Sequence, residues 1–157
     1  MKKRLNIAYG SNLNLVQMTR RCPTAKVYGK AILKDYRLIF KGASGSAYAT
    51  IEPYPGGKVP VLVWELQPKD EKALDIYEGY PVFYDKKDLE VTLENGKTVT
   101  AMVYIMTEKR IRINLPSKSY LKTVREGYQS AGFDEQIIEN ALQVSKKYIK
   151  KKVPKIL

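Results

Sequence analysis

The chain has 157 residues, 44% hydrophobic and 28% charged, with 28 Lys and Arg against 16 Asp and Glu for a net charge of +12. Histidine is absent and Cys22 is the only cysteine. Ser-His-Asp and Cys-His catalysis, zinc or His-based metal sites and internal disulfides are therefore excluded.

No apolar run approaches a membrane span, and Leu5–Ala8 is too short for a signal-peptide core. The expectation is one domain over 1–157 in the cytoplasm, with a hydrophobic core of its own. Any acid–base chemistry is expected from Glu, Asp, Lys or Tyr. The excess charge invites a nucleic-acid reading, but its placement argues against one. Lys146, Lys147, Lys150, Lys151, Lys152 and Lys155 crowd the C-terminus. There they complement the dipole of a basic terminal helix over 134–152.

Leu5–Ala8 predicts a first, buried strand. Tyr9-Gly10-Ser11-Asn12 then forms a turn, with Asn12 as cap of a helix over 13–20 that Pro23 stops. Ala25–Leu33 and Tyr36–Phe40 read as two strands or one bent strand. Gly42–Ser46 is a flexible turn, and Ala47–Glu52 a strand closed by Pro53, Pro55, Gly56 and Gly57. Val59–Leu66 is almost wholly apolar, which predicts a strand covered on both faces.

A helix from Pro68 to about Tyr77 follows, with Ala73, Leu74 and Tyr77 inward and Gly79 as its stop. Asn95-Gly96 between Phe83–Leu93 and Thr98–Met106 predicts a hairpin. Ser117 caps a helix that ends at Gly132. Asp134 caps the last helix, whose stripe is Ile137, Ile138, Ala141, Leu142, Ser145 and Ile149. About six strands with helices early, central and terminal predict an α+β fold, a mixed and mostly antiparallel barrel with surrounding helices.

Two places can carry chemistry. A strand that runs through a Gly turn into a helix start offers the N–H groups of Gly10, Ser11 and Asn12 to an anion, with Gly10 free to take a positive φ. The same residues also suit a plain capped turn. Glu78 ends the central helix, where the dipole and the bulk of Tyr77 and Tyr80 would penalise its ionised form and raise its pKa, as a general base near neutral pH requires. By position alone, an exposed acid beside a C-cap glycine is the favoured reading. Twelve tyrosines against three Phe and one Trp can give a pocket apolar walls with polar tips, although half-exposed sheet filler is the favoured reading for most of them.

Taken in order, these segments resemble the γ-glutamylcyclotransferase family. Tyr9-Gly10-Ser11-Asn12-Leu13 leads, followed by Tyr36–Phe40, Ala49–Pro53, Val63–Leu66, Leu74–Gly79, Tyr104–Met106 and Pro116–Tyr120, so the likeness runs from about residue 5 to 125. It implies a mixed barrel with a cavity in its mouth, Glu78 as catalytic acid/base, and Tyr9 to Leu13 as the loop that holds a γ-glutamyl group. Tyr84, Tyr104 and Tyr120 would be pocket tyrosines.

The implied reaction is attack of a substrate's α-amine on its own γ-carbonyl, giving 5-oxoproline and a free amine without metal or cofactor. The resemblance leaves γ-glutamyl amino acids and γ-glutamyl amines both open, and allows a homodimer. A rival reading is a basic, non-catalytic binding protein on the same fold, with Lys109, Arg110, Arg112 and the tail as its surface. The leaving group is expected between the Gly42–Ala47 turn and the Lys109–Leu115 segment.

Overall fold

The computed structural model describes residues 3–107 and 112–152. In chain order it contains β1 (Arg4–Ala8), a 3-10 turn (Ser11–Leu13), α1 (Leu15–Arg21), β2 (Lys26–Lys41) and β3 (Tyr48–Leu66). After these come α2 (Pro68–Glu78), β4 (Tyr84–Leu93), β5 (Thr98–Met106), α3 (Lys118–Ala131) and α4 (Gln136–Lys152). Among the described residues the strands close a barrel in the order β1-β3-β2-β4-β5, antiparallel at every seam except the parallel β1–β5 pair. Closure leaves no sheet edge to protect.

The expected six strands become five because β3 is continuous. The Pro-Gly cluster does not end it. The register against β2 steps from Lys58 opposite Lys34 to Pro53 opposite Tyr36, so 54–57 bulge outward against the single residue Asp35. Asp35 takes a left-handed φ of 63°, and its Oδ1 accepts from Gly56 N at 2.9 Å. Both devices bend the paired strands, which is how a long hairpin curls into a barrel. The two candidate segments of β2 likewise form one bent strand.

The predicted helix ends hold on the central and C-terminal helices. Gly79 (φ 65°) and Gly132 (φ 73°) form left-handed C-caps. Ser117 Oγ accepts from Tyr120 N, and Asp134 Oδ1 accepts from Gln136 N. The first helix differs. Asn14, not Asn12, is its cap, accepting from Gln17 N at 3.1 Å, because the 3-10 turn delays the helix start. Asp70 closes a capping box with Gln67 at the head of α2, and Thr24 donates to the same carboxylate.

Val59–Leu66 is covered on both faces as expected, with only Glu65 half-buried. The core runs through the barrel, with Phe40, Leu33, Val61 and Met102, into the layer beneath the helices, with Leu13, Met18, Leu74, Tyr128 and Ile138. α3 lies against the 3-10 turn and α4 against β2. In α4, Ile138, Ala141, Leu142 and Ser145 are buried, Ile137 and Ile149 half-buried. Lys146, Lys147, Lys150 and Lys151 are exposed. Lys109, Arg110 and Lys155 lie outside the described residues. Among the described residues no helix is long and apolar enough to cross a membrane.

Candidate active site

One end of the barrel opens into a cavity of about 750 Å³. β1 delivers the Tyr9–Asn12 loop to its floor, α2 delivers Glu78, β4 and β5 deliver Tyr84 and Tyr104, and α3 delivers Tyr120. Tyr9, Gly10, Ser11, Asn12, Glu78, Tyr84, Tyr104 and Tyr120 all line the same hollow.

Leu13 is a correction. It is 0% exposed and does not line the cavity. Its side chain anchors the loop in the core, where Gly127 of α3 passes so closely that a Cβ would stand 2.8 Å from Leu13 Cβ.

Gly10 corrects a second expectation. Its φ is −127°, so no positive φ calls for glycine. Space does: a Cβ would come within 3.1 Å of Ala49 Cβ and 3.4 Å of Tyr120 Oη. The first bonds of the 3-10 turn run from Leu13 N to Gly10 O (3.1 Å) and Asn14 N to Ser11 O (3.0 Å). The amides of Gly10, Ser11 and Asn12 precede the first bonded donor and have no acceptor among the described residues. Trp64 of β3 pins the loop from behind by donating to Asn12 O at 3.0 Å.

Glu78 is the last residue of α2, placed by the turn at Gly79. Its carboxyl lies in the cavity wall, and Asn12 Nδ2 donates to Oε1 at 3.3 Å. Burial pushes its pKa up to about 7, against the opposing pull of Arg21 and of the Asn12 bond. The raised value was expected, but from the helix dipole and the bulk of flanking Tyr77 and Tyr80. Tyr80 does not line the cavity and lies against Lys86, whose Nζ sits 4.4 Å from the ring centre. Tyr77 contributes its hydroxyl, 3.2 Å from Ser11 Oγ.

The tyrosine hydroxyls differ in what they have left to give. Tyr9 donates to Tyr104 O (2.6 Å), Tyr104 to Asp75 Oδ1 (2.6 Å) and Tyr84 to Ala49 O (2.8 Å). Tyr120 instead accepts from Ala49 N at 3.1 Å. Its own proton therefore remains available to the cavity.

The outer wall is built where the Gly42–Ser46 turn meets the segment at 112–116. Gly42 N donates to Arg112 O (2.9 Å) and Ala47 N to Leu115 O (3.1 Å). Lys41, Arg112 and Asn114 face the cavity there, opposite the apolar Ile76 and Phe83. Of the expected Lys109–Leu115 wall, residues 108–111 lie outside those described. Neither Lys41 nor Arg112 pairs with a carboxylate among the described residues. No cluster of metal-ligating side chains occurs among the described residues.

Sequence reasoning missed Arg21, which closes the site from α1. Its guanidinium donates to Asn12 Oδ1 (2.6 Å), Ser11 Oγ (3.3 Å), Gln17 Oε1 (2.9 Å) and Tyr77 Oη (2.6 Å), and lies 3.6 Å from the Tyr77 ring centre. The only local signal was a cation in the last turn of a helix, which is ordinary.

The chain matches the family described as "Gamma-glutamyl cyclotransferase, AIG2-like" over residues 7–122. It is 31% identical to the γ-glutamylcyclotransferase of Homo sapiens over 136 residues, 82% of this chain and 71% of that protein. The Bos taurus γ-glutamylcyclotransferase is 32% identical, with the same shares covered. A solved structure of a γ-glutamyl cyclotransferase superposes with a TM-score of 0.80 at 28% identity, covering 89% of this chain and 86% of the other.

Proposed function

Since the chain belongs to the γ-glutamyl cyclotransferase, AIG2-like family, we propose that it cleaves γ-glutamyl amides by ring closure, releasing 5-oxoproline and a free amine. One observation carries this reading. A carboxyl raised to about 7 shares a cavity with three amide donors that no described group uses.

The α-nitrogen of the substrate arrives as an ammonium and must lose a proton before it can attack. Glu78, ionised above about pH 7, takes that proton. The nitrogen then bonds to the γ-carbonyl carbon, and negative charge grows on the carbonyl oxygen. The loop amides of Gly10, Ser11 and Asn12 and the free hydroxyl proton of Tyr120 are the donors at hand for that oxygen or for the α-carboxylate. One donor well aimed at the oxyanion is worth about 3–4 kcal/mol.

Two protons leave the attacking nitrogen during the reaction and two arrive on the leaving nitrogen. Glu78 carries them in turn, and the bond from the γ-carbon to the leaving nitrogen breaks. Water takes no part, so the apolar floor of Ile7 and Ala8 favours the chemistry by excluding it. Nucleophile and electrophile belong to one molecule, so holding it in the attacking shape contributes roughly 7–11 kcal/mol.

Between γ-glutamyl amino acids and γ-glutamyl amines, the outer wall favours the amino acids. Lys41 and Arg112 provide unpaired positive charge where a leaving group emerges, and a free amino acid brings a carboxylate to meet it. The test is 5-oxoproline release from a matched panel, such as γ-glutamyl-alanine against γ-glutamyl-ethylamine. The amino acid is expected to show the higher kcat/KM. Combined Lys41→Gln and Arg112→Gln lowers that preference about 10-fold, since each exposed contact is worth up to ~1 kcal/mol. Preferential turnover of the amine would overturn the leaving-group assignment, and no release from any γ-glutamyl compound would overturn the reaction itself.

A further inference from the structure

Asn12 stands between a cation and the carboxyl on which the proposed ring closure depends. An arginine only donates, so the Asn12 atom 2.6 Å from Arg21 Nη1 is the carbonyl oxygen. The amide has two ends. With its oxygen committed to Arg21, its NH₂ must face Glu78, and Nδ2 lies 3.3 Å from Oε1. Turning the amide over would set an NH₂ group against a guanidinium and an oxygen against a carboxylate, two repulsions at once. Arg21 in turn cannot swing away, because its second nitrogen is held by Gln17 and Tyr77 and its plane lies against the Tyr77 ring.

From this geometry we propose that Arg21 is a positioning residue, locking the NH₂ end of the Asn12 amide toward Glu78 and so favouring the ionised form of the proton carrier against burial. The proposal rests on the cyclotransferase reading of Glu78 for its consequence in turnover, but not for its effect on the carboxyl.

The other groups around Glu78 push the opposite way or stand aside. Tyr9, Tyr84, Tyr104 and Tyr120 are neutral hydroxyls that burial holds protonated. Asp75, a turn earlier on α2, is neutralised by Lys86 at 2.7 Å. Tyr77 receives an Arg21 bond on its hydroxyl. Lys41 and Arg112 belong to the outer wall. Arg21 is the cation that lowers the Glu78 pKa against burial, with the Asn12 bond next in effect. Arg21 itself is partly desolvated, which lowers its own pKa, and a desolvated charge acts more strongly on its neighbours.

The test compares wild type with Arg21→Gln and Arg21→Met. Glutamine removes the charge while keeping a polar tip. Methionine keeps an unbranched stem for the Tyr77 ring. The two readouts are the midpoint of the acidic limb of kcat/KM and the midpoint of the Glu78 carboxyl in a ¹³C-glutamate NMR titration. Both midpoints are expected to rise by at least about half a pH unit in each variant, making turnover near pH 6 fall about 3-fold beyond any change in the plateau. Arg21→Lys keeps the charge but cannot reach Asn12 and Tyr77 together, so its midpoints are expected between those of wild type and Arg21→Gln. A residue that only supported the fold would lower activity at every pH and leave both midpoints in place. That result in any folded charge-removing variant would overturn the proposal. If wild type released no 5-oxoproline, the functional reading would fall while the carboxyl titration still decided the role of Arg21.

Discussion

Glu78→Gln is expected to lower 5-oxoproline release by at least about 10²-fold and to make the protein more stable at pH 8. The two effects have one source. Glutamine keeps the shape of the side chain and still accepts from Asn12 Nδ2, but it carries no proton between nitrogens. The stability gain follows from linkage. The folded carboxyl titrates at about 7, against 4.5 for the free group, so between those values the folded state retains a proton that the unfolded chain has lost. Stability therefore falls as pH rises through that window, and the full penalty is present above about pH 7. The shift corresponds to about 3 kcal/mol at most; water entering the open cavity reduces it to about 2 kcal/mol. Glutamine is neutral throughout and escapes this cost, so Tm at pH 8 is expected to rise by roughly 4–8 °C. At pH 4, where both side chains are neutral, the difference vanishes. Thermal melts at the two pH values, beside a 5-oxoproline assay, check both halves. A variant that kept wild-type turnover, or gained nothing at pH 8, would show that this carboxyl is not the strained proton carrier.

Such a trade of stability for a poised acid is common where chemistry is done, and in this chain part of it was legible before the fold. The segments around Glu78 carry local signals: Pro68 at the helix start, Gly79 just past its end, and Asn95-Gly96 for the hairpin that brings Tyr84 and Tyr104 alongside. Those signals depend on backbone preferences of single residues, which survive in any context. What stayed hidden depends on pairing between distant segments. Pro53, Pro55, Gly56 and Gly57 are turn residues by local chemistry, yet the ladder with β2 carries β3 past them, because Asp35 opens a matching irregularity on the partner strand. The cap moved from Asn12 to Asn14 for a similar reason. Two asparagines so close together offer equivalent caps, and the choice is made by Trp64 and Arg21 holding Asn12 elsewhere. Arg21 itself had no local mark of function, since its partners Ser11, Asn12 and Tyr77 meet only when α1 folds back along α2. The dipole argument for Glu78 reached the right direction for its pKa, while the larger cause, burial in a cavity assembled from β1, β4, β5 and α3, is a property of the barrel alone.

Gly127→Ala is expected to reduce both stability and turnover, although it lies outside the cavity and replaces a poor helix former with the best one. In an exposed helix the exchange would gain about 1 kcal/mol. Here the new Cβ would stand 2.8 Å from Leu13 Cβ and 2.9 Å from Asn14 N and Leu13 C. Two of these are backbone atoms of the loop that presents the amides of Gly10, Ser11 and Asn12, and backbone cannot rotate away as a side chain can. Either α3 retreats or the 3-10 turn shifts toward the cavity. Overpacking of this kind costs about 1–3 kcal/mol, a fall in Tm of roughly 2–12 °C for a chain of this size. A loop displaced by a fraction of an ångström misaims its donors, and a displacement near 1 Å costs about 10²-fold in rate, so a loss of 10- to 100-fold in kcat is expected. The control is Gly96→Ala in the β4–β5 turn. Gly96 has a φ of 85° with nothing within 4 Å of the added Cβ, so its alanine carries only the backbone penalty of about 1 kcal/mol and no route to the site. The informative comparison is between kcat and Tm for the two variants. If the contact between α3 and the loop sets the site's geometry, Gly127→Ala loses kcat far out of proportion to its Tm, while Gly96→Ala loses Tm alone. Equal kcat in both variants would mean that the amides of Gly10, Ser11 and Asn12 keep their aim without the close approach of α3.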